Sequence, residues 1–299
     1  MSFNRIKTLL ICIIAIISFG RCFALEKLHF VTTTDTEHYR WTLNLIAGIH
    51  RYHFDQIGTI AVYDIGLTSE QTAFLNSLAY VTVHSVERTN PYIFQKFAVN
   101  NKGKVSRGWY SWKPVVIKQA MEMQPEFFYL DSGITLRGSI DLLFQQVRDQ
   151  GYFFIDCGHS IERMTPKPLV DKFNLDSPSN RWILSEKGIS AGFQGLSKAI
   201  YRSYVLPVYE LSKDIANFMD DGSCPKGFGW ARHDQTVFSI QARLLGLKVN
   251  DVIRGGSLKL KNNGKIVKAR LEDFIEITRA DFDLNKSQTY LKFKTETPK

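Results

Sequence analysis

Cysteine is almost missing from this chain: there are four in 299 residues, and two of them, Cys12 and Cys22, fall within the first 24. No Cys-x-x-Cys pair occurs, which argues against a zinc ribbon. The other two, Cys157 and Cys224, leave two readings open: one disulfide in an oxidising compartment, or two buried thiols. Phosphate loops are missing too. No G-x-x-x-x-G-K-[ST] exists and no G-x-G-x-x-G follows the first strand-like run, which disfavours P-loop and dinucleotide enzymes. The one long apolar run, Leu9 to Phe19, is too short to span a bilayer comfortably. Repeats and low-complexity tracts are lacking. Acid is in deficit, with a formal charge of +9. No nucleic-acid docking motif accompanies that charge, so no nucleic-acid partner is expected.

What is present is ordinary globular composition, 44% hydrophobic and 22% charged, on a length that suits one large domain or two small ones. Arg5 and Lys7 precede the apolar run, and small residues follow it to Cys22-Phe23-Ala24. This is the order of a secretory signal peptide. Cleavage after Ala24 is expected, with an uncleaved signal anchor as the alternative. The protein is then exported or held in the lumen of a secretory pathway. Losing residues 1–24 removes Arg5, Lys7 and Arg21 and no acid, leaving 35 basic against 29 acidic residues. Asn285-Lys286-Ser287 is a glycosylation sequon.

Along the chain, strand-like and helix-like segments alternate. Leu28 to Thr34, Thr59 to Tyr63 and Val81 to Val86 read as strands rich in β-branched and aromatic residues. Tyr39 to Tyr52 and Thr68 to about Leu78 read as the helices between them. Asn90 to Gly108 reads as a basic loop, and Trp112-Lys113-Pro114 opens a helix to about Met123. Four large apolar residues, Phe127 to Leu130, then run into Asp131-Ser132-Gly133, the pattern of a strand buried on both faces and ended by turn residues. Ser139 to Gln150 is a helix and Gly151 to Asp156 a further strand ending in Asp. Met164 to Asn180, with three prolines, reads as a long loop. Ile189 to Gly195 is a short strand or turn, and Ser197 to Met219 a helix kinked at Pro207. Asp234 to Leu245 is a helix and Leu247 to Ile253 a last strand. The expected organisation is a signal peptide at 1–24, one α/β domain with a mainly parallel sheet at 25–255, and a basic extension at 256–299. That extension, like the signal segment, offers contact with an anionic membrane surface.

The order of these motifs carries a resemblance. Trp112-Lys113-Pro114, the strand into Asp131-Ser132-Gly133-Ile134, the Ile189-Ser190-Ala191-Gly192-Phe193 segment and His233-Asp234-Gln235 together resemble a GT-A-fold nucleotide-sugar glycosyltransferase, over roughly Leu28 to Val249. The resemblance implies a Rossmann-like sheet with an activated sugar donor bound over the first strands, and a glycan, protein or lipid hydroxyl as acceptor. Thr33, Thr34, Asp35, Arg107, Trp112, Lys113, Asp131 and Ser132 are then the candidate donor-binding residues. Ala191, Gly192 and Phe193 are the candidates for the acceptor. Asp234 is the candidate carboxylate for deprotonating or positioning the acceptor hydroxyl, with His233 beside it. Such enzymes hold a divalent cation, manganese or magnesium, between an Asp-x-Asp motif and the donor diphosphate. Here the second Asp is missing. Asp131 is left with Asp156 and His159 as candidate metal ligands, and the alternative is a metal-free enzyme with Arg107, Lys113 or Arg232 as the electrophile.

Two other classes remain. A secreted glycan-binding protein on the same fold would need no second Asp. Alternatively, Gly195-Leu196-Ser197-Lys198-Ala199 partly matches a nucleophile elbow, with His233 following it as in an α/β-hydrolase triad.

Overall fold

The computed structural model describes residues 26–98, 105–224, 231–253, 256–262, 264–277 and 287–294. The signal segment, Lys102, Lys104 and Asn285 of the sequon lie outside them. The elements run in chain order as β1 Leu28–Thr34, α1 Tyr39–His53, β2 Ile57–Asp64, α2 Ser69–Ser77, β3 Val81–Ser85, β4 Lys96–Ala98, β5 Val105–Arg107, α3 Trp112–Met123, β6 Glu126–Leu130, β7 Ile134–Leu136, α4 Asp141–Gln150 and β8 Tyr152–Ser160. After these come α5 Lys167–Lys172, α6 Trp182–Ser185, β9 Lys187–Ser197, α7 Leu206–Ser212, α8 Asp234–Leu244, β10 Leu258–Asn262, β11 Lys265–Ala269 and β12 Ile275–Ile277.

The central sheet has the order β3-β2-β1-β6-β9-β8. β3, β2, β1 and β6 are parallel, while β9 runs antiparallel to both of its neighbours. Helices cover both faces, which is why the strands read as continuous apolar runs. β6 shows the geometry most plainly. Successive side chains point to opposite faces, so Phe127 and Tyr129 enter the cluster under α3 and α8, and Phe128 and Leu130 enter the one under α1 and α4. All four are fully buried, and each contributes about 1.5–3 kcal/mol of transfer free energy.

Four expectations need correction. The short strand around Ile189 extends over 11 residues as β9 and fills the gap between β6 and β8. Its glycines made it read as a turn. Gly195 in fact faces Val147 and Phe128 so closely that a Cβ would collide with both. The helix from Ser197 to Met219 is broken into a 3-10 turn, a π turn over Tyr201–Val205, and α7 with Pro207 in its first turn. Pro207 has no N–H for an α-helical bond to the preceding turn, so a new helix starts there rather than a kinked one continuing. The long loop from Met164 to Asn180 is largely α5 and turns, with Leu169 and Leu175 buried. The last strand, Leu247 to Ile253, is reduced to one bridge from Asn250 to Ile155.

The basic extension is woven into the same body. β10 and β11 form a hairpin, and β12 pairs with β7. Leu258, Leu260, Phe274, Ile275 and Leu291 are all buried in the core on the α1 side. Among the described residues, no helix is long and apolar enough to cross a membrane. Cys157 and Cys224 are separate free thiols, so the disulfide reading gives way to the thiol reading.

Candidate active site

From β1 the chain leads outward through β2 to β3, and β6 returns on the other side of β1. Ligands of open α/β sheets bind at such a reversal, outside the carboxyl ends of the strands. A cleft of about 190 Å³ opens there. Thr33, Thr34 and Asp35 line it from the end of β1, and Asp131, Ser132 and Gly133 from the end of β6. Arg107, Tyr110, Trp112, Glu37, His38, Trp41 and Lys96 complete its lining.

Lys113 lies beneath the cleft in a buried charge triad. Its ammonium is 3.0 Å from Asp131 Oδ1 and 2.8 Å from Asp234 Oδ2, and the Lys113 side chain is only 4% exposed. Burial alone would lower the ammonium's pKa, but the Asp131 and Asp234 carboxylates outweigh it and hold Lys113 well above its ordinary value. The Tyr129 hydroxyl donates to Asp131 Oδ1 at 3.0 Å. Burial, and then the Asp131 charge, push Tyr129 well above the usual phenol range, so it keeps that proton. The Thr33 hydroxyl lies 3.4 Å from the Tyr129 oxygen and links the two strand ends. The Asp131 amide donates to Gly192 O at 2.8 Å, and a Cβ at Gly192 would collide with the Asp131 carboxylate.

On the cleft wall, Asp35 Oδ1 is 2.6 Å from His38 Nδ1 and Oδ2 accepts from Arg107 Nε at 3.2 Å. Burial opposes ionisation, but the His38 and Arg107 bonds prevail and hold the Asp35 carboxyl at about 2. Arg107 is positioned by the β4–β5 hairpin, and Lys96 of the same hairpin pairs with Glu37.

The backbone around the site is strained. Gly108, Trp109 and Tyr110 all have left-handed φ, at 52°, 43° and 63°. Only the first is a glycine, and a Cβ there would strike Ile93 O. His233, which precedes α8, has φ 50° and ψ −119°. Non-glycine residues in such regions cost about 1–3 kcal/mol each and gather at functional sites. His233 Nδ1 lies 2.7 Å from Phe218 O, so this nitrogen carries the proton. Nε2 is buried without a partner. Burial lowers the pKa of His233, which keeps it neutral.

Of the donor candidates, Thr33, Thr34, Asp35, Arg107, Trp112, Asp131 and Ser132 all line the cleft, with Lys113 directly behind Asp131. Asp234 and His233 are buried beside Lys113 and do not line the cleft. The acceptor segment is placed differently from the expectation. Ala191 and Phe193 are core residues of β9, and the space over Gly192 is filled by Asp131. The metal candidates are not brought together either. Asp156 accepts from Gly158 N at 2.7 Å, Val252 N at 2.7 Å and Ile253 N at 3.3 Å, which clasps the chain after α8. His159 lies further along the same strand. No group of three or more His, Cys, Asp or Glu side chains among the described residues is placed to hold a metal.

Ser197 donates to Gly151 O at 2.8 Å and pairs with Glu126 at the opposite end of β6 from Asp131. Five residues of strand separate the two ends, about 16 Å, so the geometry does not join Ser197 to His233. Sequence reasoning missed His38, Trp41 and Tyr129. Only Tyr129 carried a signal, a hydroxyl inside an apolar run two residues before Asp131.

No family model matches the chain, and none of the curated proteins matches it. Solved structures do. Core-mannan synthase A from Aspergillus fumigatus, in its Mn/GDP form, is 13% identical and has a TM-score of 0.50, with 89% of this chain and 83% of that chain covered. The bifunctional glycosyltransferase WbbM, in its apo form, is 11% identical with a TM-score of 0.45, and 72% of this chain covers only 37% of that one. A mannosyltransferase from S. cerevisiae in complex with GDP is 12% identical with a TM-score of 0.43, with 74% of this chain and 68% of that chain covered. The architecture is that of the GT-A-type glycosyltransferases, a mostly parallel sheet flanked by helices in a single domain.

Proposed function

We propose that this chain is a glycosyltransferase that moves a sugar from a nucleotide-diphosphate donor to a hydroxyl of a glycan, protein or lipid. The observation that carries the proposal is the cleft at the sheet's reversal point, where Asp131, held by Lys113 and Tyr129, faces the same space as Arg107 and Trp112. Likeness adds architecture only, since one fold serves many chemistries. It is nonetheless relevant that core-mannan synthase A, in its Mn/GDP form, is built on that architecture.

In the proposed reaction the acceptor oxygen bonds to the anomeric carbon, and its hydroxyl proton passes to the departing diphosphate. The bond from that carbon to the diphosphate oxygen breaks, and the diphosphate leaves with the electron pair. Trp41, Tyr110 and Trp112 offer aromatic faces to the base or sugar. Arg107 is the planar, permanently charged group suited to a diphosphate. Asp131 orients the donor. Asp234 acts through Lys113 rather than on the acceptor directly. Residues 1–24 direct the enzyme out of the cytosol.

The resemblance implies a divalent cation at this place, and the donor set does not fit one. Hard cations need several oxygen ligands. Gly133 stands where a second carboxylate would be. Asp131 Oδ1 already receives an ammonium and a hydroxyl, and Asp156 is committed to three backbone amides. The chemistry therefore falls to the protein's own groups.

The test is release of nucleoside diphosphate from a panel of UDP- and GDP-sugars offered with glycan acceptors. Asp131→Asn should lower turnover about a hundredfold or more, the scale of losing one preorganised electrostatic group. Glycan binding with no turnover of any donor would favour the non-catalytic reading, which the missing second carboxylate also fits.

A further inference from the structure

We infer that Lys113 is the resident cation of this cleft, and that a nucleoside diphosphate binds here without a divalent metal. The inference rests on the glycosyltransferase reading above and deepens it. Two carboxylates converge beneath the cleft, Asp131 from the end of β6 and Asp234 from the start of α8, and a primary ammonium sits between them at 3.0 and 2.8 Å. That is the place a metal ion would take if it were to draw both carboxylates onto one centre.

Lys113 is fixed there from all sides. It is the second residue of α3, its stem is buried, and the Tyr129 ring lies 5.2 Å from its Nζ. Two negative charges and one positive leave a single net negative charge, held at the back of the site. At the front, Arg107 and Lys96 line the cleft, each paired with an acid, Asp35 and Glu37. An anionic diphosphate entering past Arg107 thus meets an Asp131 whose charge is already offset. A cleft with two uncompensated carboxylates would repel the same group at several ångströms, and relieving that repulsion is what a bound cation does elsewhere.

The deciding experiment is calorimetric titration of UDP and of GDP into the full chain, once in EDTA and once in manganese chloride. The inference expects at least one nucleotide to bind with the same affinity in both. Binding only with manganese, or at least about tenfold tighter with it, equivalent to about 1.4 kcal/mol, overturns the inference and leaves the glycosyltransferase reading standing. No binding of either nucleotide under either condition overturns both.

A second measurement reads the metal directly. Lys113→Met uncovers both carboxylates, and the folded variant should take up manganese that the unchanged chain does not, seen by electron paramagnetic resonance with no nucleotide present. Its affinity for the nucleotide in EDTA should fall by about ten- to a hundredfold, the loss expected for one charge-assisted contact. Equal manganese uptake by both proteins, or none by either, overturns the inference. Because the variant removes a buried charge, circular dichroism must show it folded, and the titrations of the unchanged chain decide the question without it.

Discussion

Gly192 shows how much one missing methyl can decide. A Cβ there would occupy the space of the Asp131 carboxylate, so Gly192→Ala should displace Asp131 and break its contact with Lys113. Overpacking of this kind costs about 1–3 kcal/mol, and the expected outcome is a lowered melting temperature together with loss of nucleotide binding. Asp35 makes a prediction in pH. Its folded value is about 2 against an ordinary 3.8. A carboxyl depressed on folding stabilises above its unfolded value and loses that contribution as pH falls through the folded one. The shift is worth about 2 kcal/mol, lost between about pH 4 and pH 2. Urea unfolding of the wild type and Asp35→Asn should therefore differ at neutral pH and converge in acid. Asp131 and Lys113 were legible in the sequence because one sits in a turn after a buried run and the other in the first turn of a helix. The partnership of Lys113 with two carboxylates was not, because Asp131 and Asp234 are 103 positions apart in the chain and only the fold joins them.

Among the elements, the parallel strands and their helices were read correctly because alternation and buried runs are local signals. Thr68 and Gln71 form a reciprocal capping box at the start of α2, where a helix start was expected. β9 was underestimated because its length is set by the two strands that flank it, and nothing local announces a glycine that exists to admit Phe128. The segment after residue 255 is the other case. Its lysines made it read as a basic extension, yet its apolar residues alternate with them. In β10, Leu258 and Leu260 are buried and Lys259 and Lys261 exposed. A chain ending at 255 should not fold, because five buried side chains at about 1.5–3 kcal/mol each rival the whole stability of a domain. Thermal melting of the truncated chain tests this. In the hairpin, Lys259 stands directly opposite Lys268. Like charges so placed repel, and Lys259→Glu should raise stability by about 0.2–1 kcal/mol in denaturant titrations at low salt.

At the scale of the molecule, one sheet serves two apolar clusters, and alternate residues of β1, β2 and β6 belong to opposite ones. Neither cluster can dissolve without exposing the other. Unfolding should then be a single transition, with tryptophan fluorescence and far-ultraviolet circular dichroism giving the same midpoint; two separated midpoints would contradict the shared sheet. The position of the cleft follows from the same topology, since the strand order reverses between β1 and β6 and the residues that matter stand at those two ends.

The Lys113 ammonium has a consequence for anyone who labels this protein. Acylating reagents attack amines that are uncharged and reachable, and this one is neither, being 4% exposed and held between two carboxylates. The surface lysines of β10 and β11 should react within the first moments of a labelling time course. Lys113 should stay unmodified until the core itself opens. Its appearance in a mass spectrum would time that opening, from a reporter already present in the chain.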